Sequence, residues 1–510
     1  MPNRSQQDIE PSDRASDATD PPDIEPSSDW LVLKFGGTSV SSLERWQTIA
    51  STVRRRLQRG ARPLVVCSAL SQVSNRLEAL LTAAGEGEDV AAGIESLQRD
   101  HEALAADMGV DVEEHLGETL DELHQVLEGI RLTGEVTPRL RARVMSAGEM
   151  LSTKLGAAWL ADQGITTSWQ DARELLEAEP EPQVPPERQY LSATCRHAPD
   201  PALRDQLAGL DAEVILTQGF MARLDNGDTV LLGRGGSDTA AAYFATKLGA
   251  RQLEIWTDVP GMFTANPHNV HDARLLLHLG YAEAGELASK GAKVLHPRCI
   301  RAAQKYDVPI HVRCTPEPDL VGTVISRTAP SEPPQVKAVS ERTGIVLVSM
   351  DVEGDWQGIG VIADIASCFK DHGLSIDLLA SSQTNLTIAL DPRANHLEDE
   401  VLEPLLADLG ELSEPRLIRP TATVSLVGTG IRAVLHQWAT ILDVFEDEDV
   451  YMVSQAANDL SLNFLVNESS ADRLVRKIHD RLFNEESPAA FFGPTWETLV
   501  APEQKLAARR

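Results

Sequence analysis

Two short glycine-rich stretches carry the residues best suited to chemistry. In Lys34-Phe-Gly-Gly-Thr-Ser-Val40, Gly36 and Gly37 let the backbone approach an anion closely, and Lys34 adds a full positive charge beside them. A helix that follows such a turn directs unpaired N–H groups at the same point. The lysine precedes the glycines and the GxxxxGK[ST] spacing is absent, so this is not a Walker A loop. The second cradle, Gly233-Arg-Gly-Gly-Ser-Asp238, leads into a helix, Thr239 to Leu248. There Arg234 can fork onto a carboxylate or phosphate, and Asp238 can orient Lys34 or a metal. Either stretch alone also reads as a tight connection or a helix cap. Together, each with its own cation, they suit phosphoryl transfer, one holding the phosphates and the other the acceptor.

The elements that must position these groups follow from the apolar pattern. Leu31-Val32-Leu33 reads as a buried strand, followed by the first glycine turn and a helix opening at Ser41-x-x-Glu44, a capping-box pattern. Apolar runs at Leu64 to Val66, Val214 to Leu216 and Leu253 to Trp256 alternate with helical stretches. Strand, turn and helix in repeated order predict an α/β fold with a mainly parallel sheet. The proline-rich segment Ser326 to Pro334 reads as a linker. Beyond it, Ile376 to Leu390 lies over Val450 to Phe464 without a gap, at an offset of 74 residues. Each copy follows an amphipathic stretch, with Ile362, Ile365 and Phe369 on one face of the first and Leu435, Trp438, Leu442 and Phe445 on one face of the second. Two helix-plus-hairpin units of this size predict paired regulatory modules rather than a solenoid.

Composition sets the outer limits. Of 510 residues, 46 are Lys or Arg and 77 Asp or Glu, a net charge of −31. A general nucleic-acid binder needs a basic surface to displace phosphate counterions, so that class is excluded. The acid excess, with only ten lysines, fits equally a salty cytoplasm and compositional drift. The first 29 residues hold eight acids, two arginines and five prolines and predict a disordered tail rather than a signal peptide. No apolar run approaches the ~18 to 20 residues of a membrane span, and a cytoplasmic protein is expected. Cys67, Cys195, Cys299, Cys314 and Cys368 are scattered, which predicts free thiols and no metal site built on cysteine.

Five motifs in order resemble the aspartokinases: KFGGTSV, SAGEMLSTKL at Ser146 to Leu155, LGRGGSD at Leu232 to Asp238, WTDVPG at Trp256 to Gly261, and GAKVLHP at Gly291 to Pro297. DHGLSIDLLASSQTNLTIALD and FFGPTW look most like the kinase half of proteins that fuse aspartokinase to diaminopimelate decarboxylase. The resemblance implies an α/β amino-acid-kinase domain over 30–327, a linker at 328–337, and two α+β ACT domains at 338–418 and 419–485. The segment 486–510 is then expected to complete the first ACT domain. It further implies ATP, Mg²⁺ and L-aspartate as ligands, with the side-chain carboxylate phosphorylated as the first step toward lysine, threonine and methionine. Lys34 and Asp238 match catalytic positions. Gly36, Gly37, Thr257, Asp258, Phe263, His268 and Lys293 match nucleotide contacts. Ser39, Ser68, Ser74, Glu149, Arg234 and Ser237 match substrate contacts, Glu149 holding the α-ammonium and Arg234 a carboxylate. Phe263 stands where the family has a tyrosine, and Asn266-Pro267-His268 where it has Asp-Pro-Arg, which implies weaker nucleotide binding or a shift in its pH dependence.

The same resemblance places Asp377, Ser381, Ser382 and Gln383 at an effector site for a feedback amino acid, lysine or threonine, and implies a homodimer or larger assembly through the ACT domains. A carboxylate acceptor, with a pKa near ~4, is already ionised at neutral pH and needs no general base. What it needs is positive charge and alignment, which the set Lys34, Arg234 and Lys293 with Mg²⁺ would supply. Two other readings stay open: a related kinase with another acceptor, and a non-enzymatic amino-acid sensor.

Overall fold

In the computed structural model of the protein, residues 28–181, 184–292, 294–327, 334–351, 360–433, 441–483 and 491–499 are described. Eighteen strands are present among them. In chain order they are β1 (Trp30–Phe35), β2 (Arg62–Cys67), β3 (Thr167–Gln170), β4 (Val214–Gln218), β5 (Met221–Arg223), β6 (Thr229–Leu231), β7 (Gln252–Thr257), β8 (Arg274–Leu276) and β9 (His278–Gly280). They continue with β10 (Ile310–Cys314), β11 (Thr323–Ser326), β12 (Gln335–Asp351), β13 (Leu378–Ser381), β14 (Asn385–Leu390), β15 (Glu414–Thr429), β16 (Val450–Gln455), β17 (Ser461–Asn467) and β18 (Phe492–Thr495).

The amino-terminal unit is built on an eight-stranded sheet in the order β3-β4-β2-β1-β7-β10-β11-β9, parallel from β3 through β10. Its strands are apolar on both faces because helices cover both. In β1, Leu31, Leu33 and Phe35 pack toward the helices Leu43–Gln58, Val73–Gly85 and Pro138–Asp162, while Trp30 and Val32 join the core under the helix Gly236–Leu248. The strand order runs away from β1 in both directions, to β2 on one side and β7 on the other. Such a reversal leaves a crevice at the carboxyl ends of the strands, the usual ligand position in open α/β sheets.

The carboxyl-terminal half, expected to be regulatory, is one six-stranded antiparallel sheet, β13-β14-β12-β15-β17-β16. Its spine is the long pair β12 and β15. The carboxyl-terminal part of β12 pairs with β14 and with the start of β15, Val348 opposite Leu417. The amino-terminal part faces the end of β15, Val339 opposite Leu426, which in turn pairs with β17. The repeat seen in the sequence therefore becomes two modules sharing two continuous strands. Gln335–Lys337, expected to be linker, belong to β12, and 328–333 lie outside the described residues, as do 1–27 of the amino-terminal tail.

Several expectations change. The first helix after β1 is capped by Ser42, whose side chain accepts from Arg45 N–H, because Ser41 instead donates to Gly37 O at 2.6 Å. In the helix Val361–Asp371, Ile365 and Phe369 are buried but Ile362 is exposed. Phe445 is buried and Leu442 exposed, while Leu435 and Trp438 lie outside the described residues. The carboxyl-terminal segment is not seen completing the first module: β18 pairs antiparallel with β8 of the amino-terminal unit. Arg274 fixes it there by donating to Phe492 O and Gly493 O. All five cysteines are free thiols, four of them buried.

Candidate active site

The crevice gathers residues from four strand ends and two helices. Beyond β1 the chain does not enter a helix at once but makes a single 3-10 turn, Gly37–Ser39. Gly37 is confined here: a Cβ on it would stand 2.9 Å from Ala69 O and 3.4 Å from Ser71 N, both backbone atoms of the loop after β2. A side chain at that position would push the two loops apart. Gly36 N–H donates to Trp256 O at the end of β7, tying the turn to the other side of the crevice.

Facing this turn is the second cradle. The helix Gly236–Leu248 begins three residues earlier than its apolar pattern suggests, so Asp238 sits in its first turn, where the helix dipole favours a negative charge. Gly235 takes a left-handed conformation (φ 66°), and a Cβ there would meet the His296 Cβ at 2.4 Å and its ring at 2.5 Å. Lys34 Nζ lies 2.6 Å from Asp238 Oδ1, both side chains nearly buried. Burial alone would lower the lysine pKa, but Asp238, hydrogen-bonded to it, and Glu149 outweigh that and hold it above its ordinary value.

Glu149 projects from the middle of the long helix Pro138–Asp162 and is almost fully buried. Ser237 Oγ–H donates to its Oε1 at 2.6 Å. Its Oε2 is buried without a hydrogen-bond partner. Burial raises the carboxyl pKa to about 7, against the opposing effects of Ser237, Lys34 and the Gly219 N–H. A buried carboxylate oxygen left unpaired points to a cationic ligand group in that space. Below it, Thr153 Oγ1 donates to Glu149 O and accepts from Gln218 and Trp169, which holds the helix against β4 and β3.

The remaining expected positions separate into those at the crevice and those elsewhere. Ser68 follows β2 and its carbonyl accepts from Ser152 Oγ. Arg234 is exposed in the second cradle, and Ser74 is exposed on the first turn of the helix Val73–Gly85. Thr257 ends β7 and Asp258 follows it, the Thr257 hydroxyl donating to Asp258 Oδ1 at 3.0 Å. Ser39 departs from its expected substrate role: its hydroxyl is buried and bonded to Thr315 Oγ1 at 2.7 Å, so it anchors the turn. Phe263 is buried, and with His268 it packs against Trp496 of the carboxyl-terminal segment, at 5.5 and 5.6 Å between ring centres. Lys293 lies outside the described residues.

In the regulatory half, Asp377 and Asp391 share the buried Arg342 guanidinium. Ser382 Oγ accepts from the Thr384 and Asn385 N–H groups and closes the turn between β13 and β14, while Ser381 and Gln383 are exposed. Arg393 lies near enough to both Arg342 and Arg234 that, after burial, their like charges help to lower its pKa.

Sequence reasoning missed Gly219 and Gln218. Gly219 carries a signal, a glycine directly after an apolar strand: a Cβ there would meet Ser237 Cα at 2.5 Å. Gln218 carries none, because its role arises from elements far apart in the chain.

Residues 29–314 match the Amino acid kinase family. The chain is 29% identical to the lysine-sensitive aspartokinase 3 of Escherichia coli, over 89% of this chain and 100% of that protein. It is 28% identical to the chloroplastic aspartokinase 2 of Arabidopsis thaliana, over 89% of this chain and 84% of that one. The crystal structure of E. coli aspartokinase III in complex with aspartate and ADP, an R-state, superposes with a TM-score of 0.76 at 28% identity, covering 89% of this chain and 100% of that one. The same enzyme with lysine and aspartate, a T-state, gives 0.70 at 27% identity, covering 90% and 100%. With the family match spanning more than half of its length and these likenesses running through both halves, the chain belongs to the amino acid kinase family, in its aspartokinase branch.

Proposed function

We infer that this protein transfers the γ-phosphoryl group of ATP to the side-chain carboxylate of L-aspartate, giving 4-phospho-L-aspartate and ADP. The observation that carries this reading is the adjacency of two opposite recognition groups in one crevice. Lys34, held charged by Asp238, faces the phosphate cradle, and Glu149 offers an unpaired carboxylate oxygen for an α-ammonium group. Arg234 supplies the cation for the substrate α-carboxylate.

In the step itself, a carboxylate oxygen of aspartate attacks the γ-phosphorus in line. The bond to the β,γ-bridging oxygen breaks, and ADP leaves with the electron pair. No proton is transferred, since the attacking group is already an anion. Lys34 stabilises charge that builds on the phosphoryl oxygens, and the loop N–H groups hold the phosphates. The donor set suits Mg-ATP: Mg²⁺ binds through one or two carboxylates plus phosphate oxygens, and Asp238 in the second cradle and Asp258 after β7 would be the carboxylates to hold it. When bound, it neutralises the β- and γ-oxygens. Gly36, Gly37, Thr257, Asp258 and Lys293 form the nucleotide side of this reading. Ser68, Ser74 and Ser237 stand on the acceptor side.

Feedback control through the regulatory sheet belongs to the same proposal, with lysine as effector in view of the lysine complex of the similar enzyme. The effector amine would share Asp377 with Arg342. The exposed apolar residues Leu379, Val450, Tyr451 and Val453 on β13 and β16 support a homodimer through this sheet. Among the described residues no helix is long and apolar enough to cross a membrane, and we place the reaction in the cytoplasm.

The test is trapping with hydroxylamine. Purified protein with Mg-ATP and aspartate should yield aspartyl hydroxamate, and glutamate in place of aspartate should not. Absence of any aspartate-dependent hydroxamate, at low or high salt, would overturn the reading. Lysine and threonine, added singly and together, identify the effector.

A further inference from the structure

We propose that Asp272, His479 and Asp480 form a binding site for a divalent transition-metal cation of the Zn²⁺ class, bridging the catalytic and regulatory halves. Asp272 lies in the loop before β8, and His479 and Asp480 lie on the last turn of the helix Glu468–Leu482, which packs under the regulatory sheet. One ligand atom from each falls within 4.8 Å of the other two.

The buried histidine is what sets this cluster apart from an ordinary acidic patch. The His479 side chain has no exposed surface, and its Nδ1 has no hydrogen-bond partner. That atom is directed at the carboxylates, 3.8 Å from Asp272 Oδ2, which is too long for a hydrogen bond. On the other side of the ring, Nε2 lies 2.8 Å from Thr264 Oγ1, an oxygen that also accepts the Arg274 N–H at 2.9 Å. In the tautomer whose Nε2–H donates to Thr264, the Nδ1 lone pair faces the cluster. This is the usual arrangement of a metal-bound imidazole, whose second nitrogen is fixed by an oxygen acceptor.

Charge and size agree. Two carboxylates and a neutral ring balance a doubly charged cation. Metal–ligand bonds of about 2.0 to 2.2 Å put ligands on one ion at most ~4.4 Å apart. Asp272 and Asp480 are exposed, so a small side-chain rotation closes the remaining gap and water completes the shell. One imidazole with two carboxylates favours a first-row transition metal over Mg²⁺ or Ca²⁺.

The site would clamp the loop that follows Asn266-Pro267-His268 to the regulatory helix, and the test reads binding directly. Full-length protein is stripped with EDTA, dialysed, and titrated with ZnCl₂ by calorimetry in the absence of nucleotide, with thermal melts alongside. Wild type should bind one Zn²⁺ per chain, undisplaced by tenfold excess Mg²⁺, with a rise in Tm. Asp272→Asn and Asp480→Asn change exposed side chains and should fold with the metal-free Tm of wild type, yet each should bind Zn²⁺ at least tenfold more weakly and lose the Tm rise. No stoichiometric binding to wild type, or undiminished affinity in either variant, would overturn the proposal.

Discussion

Lys34 and Asp238 meet at 2.6 Å across the crevice, one at the end of the first strand and the other in the first turn of a helix. The pair fixes the lysine where the two cradles converge and keeps it charged. Lys34→Ala should reduce kcat by at least ~10²-fold, the usual cost of removing a group aimed at developing charge. Asp238→Asn should lower kcat as well, by releasing the lysine. Hydroxamate formation under saturating substrates measures both, and full activity in Lys34→Ala would refute the assignment.

Glu149 makes activity depend on pH. Its carboxyl pKa, raised by burial to about 7 from 4.5, leaves much of it protonated at neutrality. Binding an ammonium needs the ionised form, so kcat/KM for aspartate should rise with pH and level off above about 7. Glu149→Gln should remove that limb and lower kcat/KM by ~10²-fold.

The same shift has a signed effect on stability. The folded pKa is above the unfolded one, so folding favours the protonated form. This contribution is fully present below about 4.5 and is lost as pH rises through about 7. Its full span is on the order of 3 kcal/mol. Denaturant melts of ligand-free wild type and Glu149→Gln should diverge progressively between pH 5 and pH 8, wild type losing ground. Parallel curves would count against the raised pKa.

Gly37→Ala tests the first cradle. Its Cβ would stand 2.9 Å from Ala69 O, and relief requires moving the turn apart from the backbone of the loop after β2. Misplacement on this scale costs ~10²-fold in rate. We expect that loss in kcat/KM for ATP, with a Tm within a few degrees of wild type.

Trp496 packs edge-on against Phe263 and lies beside His268. Trp496→Ala should raise KM for ATP by ~3- to 10-fold, the worth of such aromatic contacts, while KM for aspartate changes less. Equal changes in both would point to general unfolding.

The net charge of −31 repels two anionic substrates at long range. Added salt shortens the ~8 to 10 Å screening length, so kcat/KM should hold or rise between low and moderate salt. A steep fall would show that long-range attraction, not a local positive pocket, governs binding.

Much of the catalytic unit is legible in the chain because it is encoded locally. Short continuous apolar runs make β1 and β2, a glycine turn follows each of two strands, and a cation sits within each cradle. The pairing of β1 with both β2 and β7, and hence the crevice itself, follows once such units form a parallel sheet. Boundaries were less legible. Ser41 lost the cap to Ser42 because a carbonyl in the preceding turn captured its hydroxyl.

Tertiary structure alone decided which distant groups share a space. Ser237 meets Glu149 only because two helices pack across the same strand ends. Ser39 is withdrawn from the crevice by Thr315, and the carboxyl-terminal strand chooses β8, where Arg274 can reach its carbonyls. The contact between His479 and Asp272 likewise exists only where the regulatory helix meets the catalytic loop. Residue type and spacing determine short-range propensity and so the kind of chemistry. Burial, pKa and partner choice depend on packing between segments far apart in the chain, where no local pattern reports them.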